Sequence, residues 1–188
     1  MKSSFSAHQN LYRMTVDSLF VALYVVLATF ASFKIPGAVQ VSFSTVPILL
    51  AAFLFRPADA VGIALLGTFV EQVIDPSPYG FVTLPMWLIP GTVMALVASL
   101  CASRIRKMSS KKLAVVLSAA TIVCAELLLT ALNTAALYID GAIMGYAVQA
   151  LHLLMPMRIL NGLVRAIVSC VLIPLLLPPL KKALARIL

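Results

Sequence analysis

The chain alternates between long apolar stretches and short polar or basic connections. Six apolar stretches stand out, at residues 14–33, 43–55, 58–74, 84–103, 113–138 and 153–177. A helix needs about 20 mostly apolar residues to cross a bilayer, and most of these stretches approach that length. The second is short and contains Pro47. The pattern predicts an all-α integral membrane protein with six transmembrane helices.

The composition favours a membrane protein over a soluble one. Hydrophobic residues make up 62% of the 188 residues and charged residues 11%, whereas soluble domains average about 45–50% apolar and about 25% charged residues. No soluble interior could bury so much apolar surface, so lipid must cover it. We predict one transmembrane domain over residues 1–188, with a cytoplasmic segment at 1–13, a bundle at 14–178 and a basic cytoplasmic tail at 179–188.

The net charge of +8 indicates an orientation in the membrane rather than a nucleic-acid surface, because the basic residues cluster between apolar stretches. With six crossings, both termini lie on one side. Eleven basic residues fall on that side: Lys2, Arg13, Arg56, Arg104, Arg106, Lys107, Lys111, Lys112, Lys181, Lys182 and Arg186. Lys34 falls on the other side. Since cytoplasmic loops are enriched in Lys and Arg, we predict cytoplasmic termini.

The three outer connections differ in kind from the inner ones. They span residues 34–42, 75–83 and 139–152 and contain Pro, Gly, Tyr and Phe. We interpret them as an ordered lid above a site that opens outward, with ordinary connectors as the alternative. Lys34 in the first connection and Tyr146 in the third are predicted to contact a substrate.

Polar residues within the apolar stretches are expected to face the bundle interior, because lipid solvates them poorly. At about 1.5 Å of rise per helical residue, one outer layer contains five candidates: Arg158, Asn133, Glu71, Gln72 and Trp87. An Arg guanidinium binds a carboxylate through two parallel hydrogen bonds. A few polar groups in an apolar pocket are typical of small-molecule sites. We predict a substrate site here; the alternative is that Arg158 only pairs with Glu71.

A deeper layer contains Arg165 and Glu126. Arg165 follows Arg158 by seven residues and Glu126 precedes Asn133 by seven, so each shares a helix face with the residue above it. An uncompensated charge at this depth would be too costly. We therefore predict an ion pair that fixes the packing of the fifth helix against the sixth.

The sequence shows no constellation for catalysis or for binding a metal. His8 and His152 lie far apart, and the three cysteines lack the spacing of a metal site. No glycine-rich motif ends in Gly-Lys-Ser or Gly-Lys-Thr, so the chain has no P-loop for ATP. We predict no enzyme activity, no catalytic residue, no metal and no cofactor.

Four local motifs carry a resemblance to a known family. They are VSFSTVP at 41–47, AAFLFRP at 51–57, LNT at 132–134 and LMPMRILN at 154–161. Together with the six-helix layout, they resemble the substrate-binding S component of an energy-coupling factor (ECF) vitamin transporter, most closely the folate type. The last motif adds Asn161 to the predicted substrate-binding residues.

The resemblance implies a division of labour among subunits. This chain would capture a water-soluble vitamin with high affinity at a bacterial plasma membrane, with folate as the first expectation and pantothenate or another vitamin as alternatives. A transmembrane coupling subunit and two cytoplasmic ATPases would supply the energy. Ser18 and Ala22 are small residues four positions apart on the first helix, and by this resemblance they would contact the coupling subunit. A self-sufficient secondary transporter of a small organic solute is the alternative function.

Overall fold

The computed structural model describes residues 2–34, 40–75, 82–145 and 148–185. This part of the chain forms six α-helices and one short hairpin. The helices are α1 (Lys2–Phe30), α2 (Thr45–Leu54), α3 (Pro57–Ile74), α4 (Leu84–Ile105), α5 (Lys111–Met144) and α6 (Val148–Ala185). The hairpin joins α1 to α2 and consists of β1 (Ser32–Lys34) and β2 (Gln40–Ser42), which pair in antiparallel fashion.

Five of the six helices are long and apolar enough to cross a membrane. The exception is α2, whose 10 residues span about 15 Å, or about half the thickness of the hydrocarbon layer. The prediction of an all-helical membrane protein with six helices and a short second one is confirmed. The side of the membrane on which the termini lie stays a prediction.

The short helix α2 forms the centre of the bundle. All of its residues from 45 to 53 are buried, and it contacts α1, α3, α4 and α6. A helix that is apolar on every side is stable only when its neighbours enclose it. The longer helices instead expose large apolar side chains such as Leu66 and Ile167. These outward faces suit a lipid surround.

Polar contacts tie the helices together at the end of the bundle opposite the hairpin. The last carbonyls of α2 have no partner within their own helix. The Arg106 guanidinium at the end of α4 donates to the carbonyls of Phe53 and Phe55 at 3.2 Å. On the neighbouring helices, Arg13 Nε of α1 donates to Asp59 Oδ2 of α3 at 2.9 Å.

The third outer connection, predicted at residues 139–152, is wrong in its described part. Helix α5 continues to Met144 and α6 begins at Val148. Asp140 interrupts the apolar stretch, but it lies inside α5, and its side chain is buried. Gly145 ends α5 because its φ of 74° lies in the left-handed region, where glycine carries no steric penalty.

The predicted limits of the first and sixth helices also differ from the structure. The first stretch is predicted to run to Phe33, whereas α1 ends at Phe30 and β1 begins at Ser32. The other limits are too short. Helix α1 begins at Lys2, because polar residues outside the apolar stretch continue the same helix. Helix α6 passes Pro178 and Pro179 and continues to Ala185. A proline lacks one backbone N–H and bends a helix, but it does not have to end one. The basic residues of the predicted tail up to Lys182 are therefore helical.

Candidate substrate site

A cavity of about 270 Å³ lies among all six helices. Its volume is near the lower limit of roughly 300–1,000 Å³ for ligand pockets, so it suits a small molecule. Six predicted site residues line it: Glu71, Gln72, Trp87, Asn133, Arg158 and Asn161. Of the other two, Tyr146 and the side chain of Lys34 lie outside the described residues.

Two arginines of α6 form one wall of the cavity, and two threonines of α5 hold them. Arg158 Nε donates to Thr134 Oγ1, and Arg165 Nη2 donates to Thr130 Oγ1, each at 3.1 Å. Each threonine hydroxyl in turn donates to the backbone carbonyl four residues earlier. Because each hydroxyl proton is already engaged, each oxygen faces its arginine as an acceptor. The guanidinium groups are therefore positioned by α5 rather than by α6 alone.

Behind this wall, the Glu126 carboxylate joins three helices. Its side chain is fully buried, and Oε1 accepts from Thr45 of α2 at 2.7 Å and from Ser169 of α6 at 2.9 Å. Its Oε2 lies 3.8 Å from Arg165 Nε, which is an ion-pair distance but too long for a hydrogen bond. The structure thus brings together the two residues predicted to pair. It also places Arg165 at the cavity wall, a position that the sequence did not predict.

The opposite wall comes from α1 and α3. Tyr24 donates from its hydroxyl to Glu71 Oε2 at 2.6 Å, and the same hydroxyl lies 3.3 Å from Thr68 Oγ1. This contact depends on Gly67, because a Cβ there would lie 2.7 Å from Tyr24 Cδ1. The glycine lets the tyrosine ring pack directly on the α3 backbone. Tyr24 then orients the Glu71 carboxylate at the edge of the cavity.

The two walls carry opposite charges. The Arg165 guanidinium already has a counter-charge in Glu126, so Arg158 is the cation that the α6 wall offers to a ligand. The α3 wall offers the Glu71 carboxylate beside Gln72. Such a cavity fits a molecule with an acidic group at one end and hydrogen-bond donors at the other.

Sequence reasoning missed Tyr24, Thr45 and Thr130 as parts of this site. One signal was available for Thr130, because Glu126, Thr130 and Thr134 are spaced by four residues and share a helix face. No comparable signal marks Tyr24, since its role depends on the pairing of α1 with α3.

The residues predicted to contact a partner subunit lie away from the cavity. Ser18 and Ala22 are both exposed on α1. The Ser18 hydroxyl donates to the carbonyl of Met14, one turn earlier, at 2.8 Å. Its polar group is therefore satisfied within the helix, and the surface around it stays compatible with close packing by another helix.

Comparison with known proteins decides the family. The chain matches the family model of the substrate-specific component of ECF transporters over residues 12–177. It belongs to this family. The chain is also similar to a solved S component of a bacterial ECF transporter, with a TM-score of 0.63 and 25% identity over 92% of this chain and 99% of that one. No curated protein sequence matches it.

Membership in this family establishes the general role of this S component. It is a multi-pass membrane subunit that binds a small-molecule substrate, and its partner is an ECF energising module. A substrate-specific component is a binding subunit and not an enzyme. Among the described residues, no group of three or more His, Cys, Asp or Glu side chains could hold a metal ion.

Proposed function

We propose that this S component captures a water-soluble vitamin with high affinity in the cavity between α1, α3 and α6. Folate is the first expectation, and pantothenate or another vitamin with an acidic group is the alternative. Uptake across a bacterial plasma membrane is driven by ATP hydrolysis in two cytoplasmic ATPase subunits, which act through a transmembrane coupling subunit. This chain supplies the binding step.

The single observation that carries the proposal is the placement of Arg158. Its Nε donates to Thr134 Oγ1, and Arg158 lines a cavity to which all six helices contribute residues. A guanidinium held in this way is pre-oriented for the two oxygens of a carboxylate, and little rotamer freedom is lost when the ligand binds. The carboxylate of the vitamin therefore docks on Arg158.

The opposite end of the ligand meets Glu71 and Gln72. A carboxylate accepts hydrogen bonds only, whereas an amide both donates and accepts. This pair suits a ring or amide that presents N–H groups. A folate-type molecule presents ring and amide N–H groups as well as carboxylates, and pantothenate presents an amide N–H, hydroxyl groups and one carboxylate. Both therefore have donors for Glu71 and an acidic group for Arg158.

The first experiment identifies the ligand. Protein solubilised in detergent is purified without added vitamin and denatured, and the released small molecules are analysed by mass spectrometry. We expect one acidic vitamin, and we expect the same vitamin to raise the melting temperature in a thermal-shift panel. An empty cavity together with no shift from any vitamin would contradict the proposal.

The second experiment tests the site. Arg158→Ala should weaken binding of that vitamin about thirtyfold or more, because truncating one member of a buried charged pair costs about 2–5 kcal/mol. Arg158→Lys should also bind weakly, because an ammonium group lacks the planar fork. Arg104→Ala is the matched control, since Arg104 is exposed at the far end of α4. Equal affinities in all three variants would exclude this site.

A transport assay separates the two functional alternatives. In proteoliposomes, this S component should accumulate vitamin only when the coupling subunit, both ATPases and ATP are present. Accumulation by the chain alone, driven by an ion gradient, would instead indicate a self-sufficient secondary transporter.

A further inference from the structure

The indole N–H of Trp87 is a buried hydrogen-bond donor that lacks an acceptor. Trp87 lies on α4 and lines the substrate cavity. Its Nε1 is shielded from solvent, yet no hydrogen-bond partner for it is present in the described part of the chain. An indole nitrogen donates and cannot accept, and leaving a buried donor unpaired is costly. Because the cavity lies beside the ring, a ligand in the cavity can supply the acceptor.

Trp87 lies at the same level of the bundle as Glu71 on the neighbouring helix. Helices α3 and α4 approach closely where Gly91 faces Thr68, since a Cβ added at Gly91 would lie 3.3 Å from Thr68 Oγ1. Glu71 follows Thr68 by three residues, and Trp87 precedes Gly91 by four. Each is therefore about one turn from this contact, on the side of the connection at 75–83, and on the same helix face as the contact residue. Glu71 and Trp87 thus lie side by side on one wall of the cavity, which both of them line.

These two side chains ask for opposite groups on the same edge of a ligand. The Glu71 carboxylate, which the Tyr24 hydroxyl orients, accepts hydrogen bonds only. The Trp87 indole donates only. An edge that satisfies both must present a donor and an acceptor next to each other. A cyclic amide does so, because the ring holds its N–H and C=O on one side, whereas an open-chain amide is trans and points the two groups in opposite directions.

We propose that Trp87 determines specificity by donating its indole N–H to the carbonyl of a cyclic amide, while the ring N–H beside that carbonyl donates to Glu71. The ligand class is then an acidic molecule with a cyclic amide at the end opposite its carboxylate. This inference rests on the proposed function, which places the carboxylate on Arg158. Of the two vitamins considered above, folate has such a ring edge, whereas the amide of pantothenate is open-chain.

The first test observes the indole proton directly. Trp87 is the only tryptophan of the chain, so protein labelled with ¹⁵N in the tryptophan indole gives a single Nε1–H resonance in detergent. Folic acid should move the proton of this resonance downfield and slow its exchange with deuterated water, because the proton becomes hydrogen-bonded to the ligand. Pantothenate is the comparison ligand and should cause neither change.

The second test removes the donor and keeps the shape of the ring. Benzothienylalanine in place of Trp87 substitutes a sulfur atom for the indole N–H. Its affinity for folic acid should fall about tenfold or more, because the ligand carbonyl is buried without its donor. The matched control is a tryptophan fluorinated on its six-membered ring, which retains the N–H and should bind folic acid like wild type. Thermal unfolding without ligand checks that both substituted proteins fold.

The outcomes distinguish this inference from the proposed function. If folic acid binds, but the indole resonance stays in place and the benzothienyl protein binds equally well, the inference is overturned and the proposed function stands. Binding of pantothenate without binding of folic acid overturns the cyclic-amide class and also leaves the proposed function standing. If neither vitamin binds and the purified protein releases no other vitamin on denaturation, both the inference and the proposed function are overturned.

Discussion

The Glu126–Arg165 pair can be tested most directly by a double-mutant cycle on the free energy of unfolding. The cycle compares Glu126→Leu, Arg165→Leu and the double variant with wild type. Glu126 is fully buried between α2, α5 and α6, and its Oε2 lies 3.8 Å from Arg165 Nε. Each single variant leaves the other charge without its counter-charge in the bundle.

The expected magnitude follows from that geometry. Two charges at this separation attract each other by about 4 kcal/mol at an effective dielectric constant of about 20, and removing one member of a buried pair costs about 3–5 kcal/mol. Glu126→Leu also removes the hydrogen bonds from Thr45 and Ser169, at about 0.6 kcal/mol each inside a membrane protein. Glu126→Leu should therefore be the more destabilising single change.

The double variant decides the question. It removes both charges of the pair, so its destabilisation should fall short of the sum of the single effects by about 2–3 kcal/mol. The measurement is reversible unfolding in mixed micelles, and Ser169→Ala serves as a control that removes one hydrogen bond and no charge. If the destabilisation of the double variant equals the sum of the two single effects to within about 0.5 kcal/mol, the reasoning is refuted.

Three glycines give further predictions. Gly162→Ala should destabilise the protein by about 1–3 kcal/mol, because its Cβ would lie 2.4 Å from Thr130 Oγ1 and push α5 from α6; a melting temperature at or above that of wild type would contradict this. Gly67→Ala should displace Tyr24 and weaken vitamin binding, measured by titration calorimetry. Gly62→Ala, in the same helix but with open space around its Cβ, should leave binding unchanged and stabilise α3 by up to about 1 kcal/mol. Equal binding by the two α3 variants would show that the Tyr24 contact is dispensable.

The apolar stretches predicted all six helices because the membrane imposes a length and a polarity on every crossing. The same signal failed at helix ends, where a polar residue no longer marks a boundary. Asp140 lies inside α5 with its side chain buried, and Pro178 lies inside α6, where the helix tolerates a missing N–H. Helix ends depend on backbone hydrogen bonding, which hydropathy does not report.

The charged and amide side chains of the site were largely predictable, and the hydroxyl-bearing ones were not. Arg158 and Glu71 stand out in apolar surroundings, since lipid makes any charge there exceptional. Threonine and tyrosine are common in membrane helices, so Tyr24 gave no contrast and Thr130 gave only its four-residue spacing from Glu126 and Thr134. Their function comes from which helices face each other, α5 with α6 and α1 with α3, and spacing along one helix cannot specify that pairing.

The length of α6 has a mechanical consequence. Its 38 residues extend about 57 Å if straight, beyond the roughly 40–45 Å of a bilayer with its headgroups. Lys181 and Lys182 therefore lie near the carboxyl-terminal end of α6, and Arg158 and Arg165 lie in its amino-terminal half. Pro174 lies between the two ends, so a bend there would let the basic end and the cavity wall change their tilt independently. The helix that carries Arg158 and Arg165 is thus long enough to connect the cavity with the membrane surface.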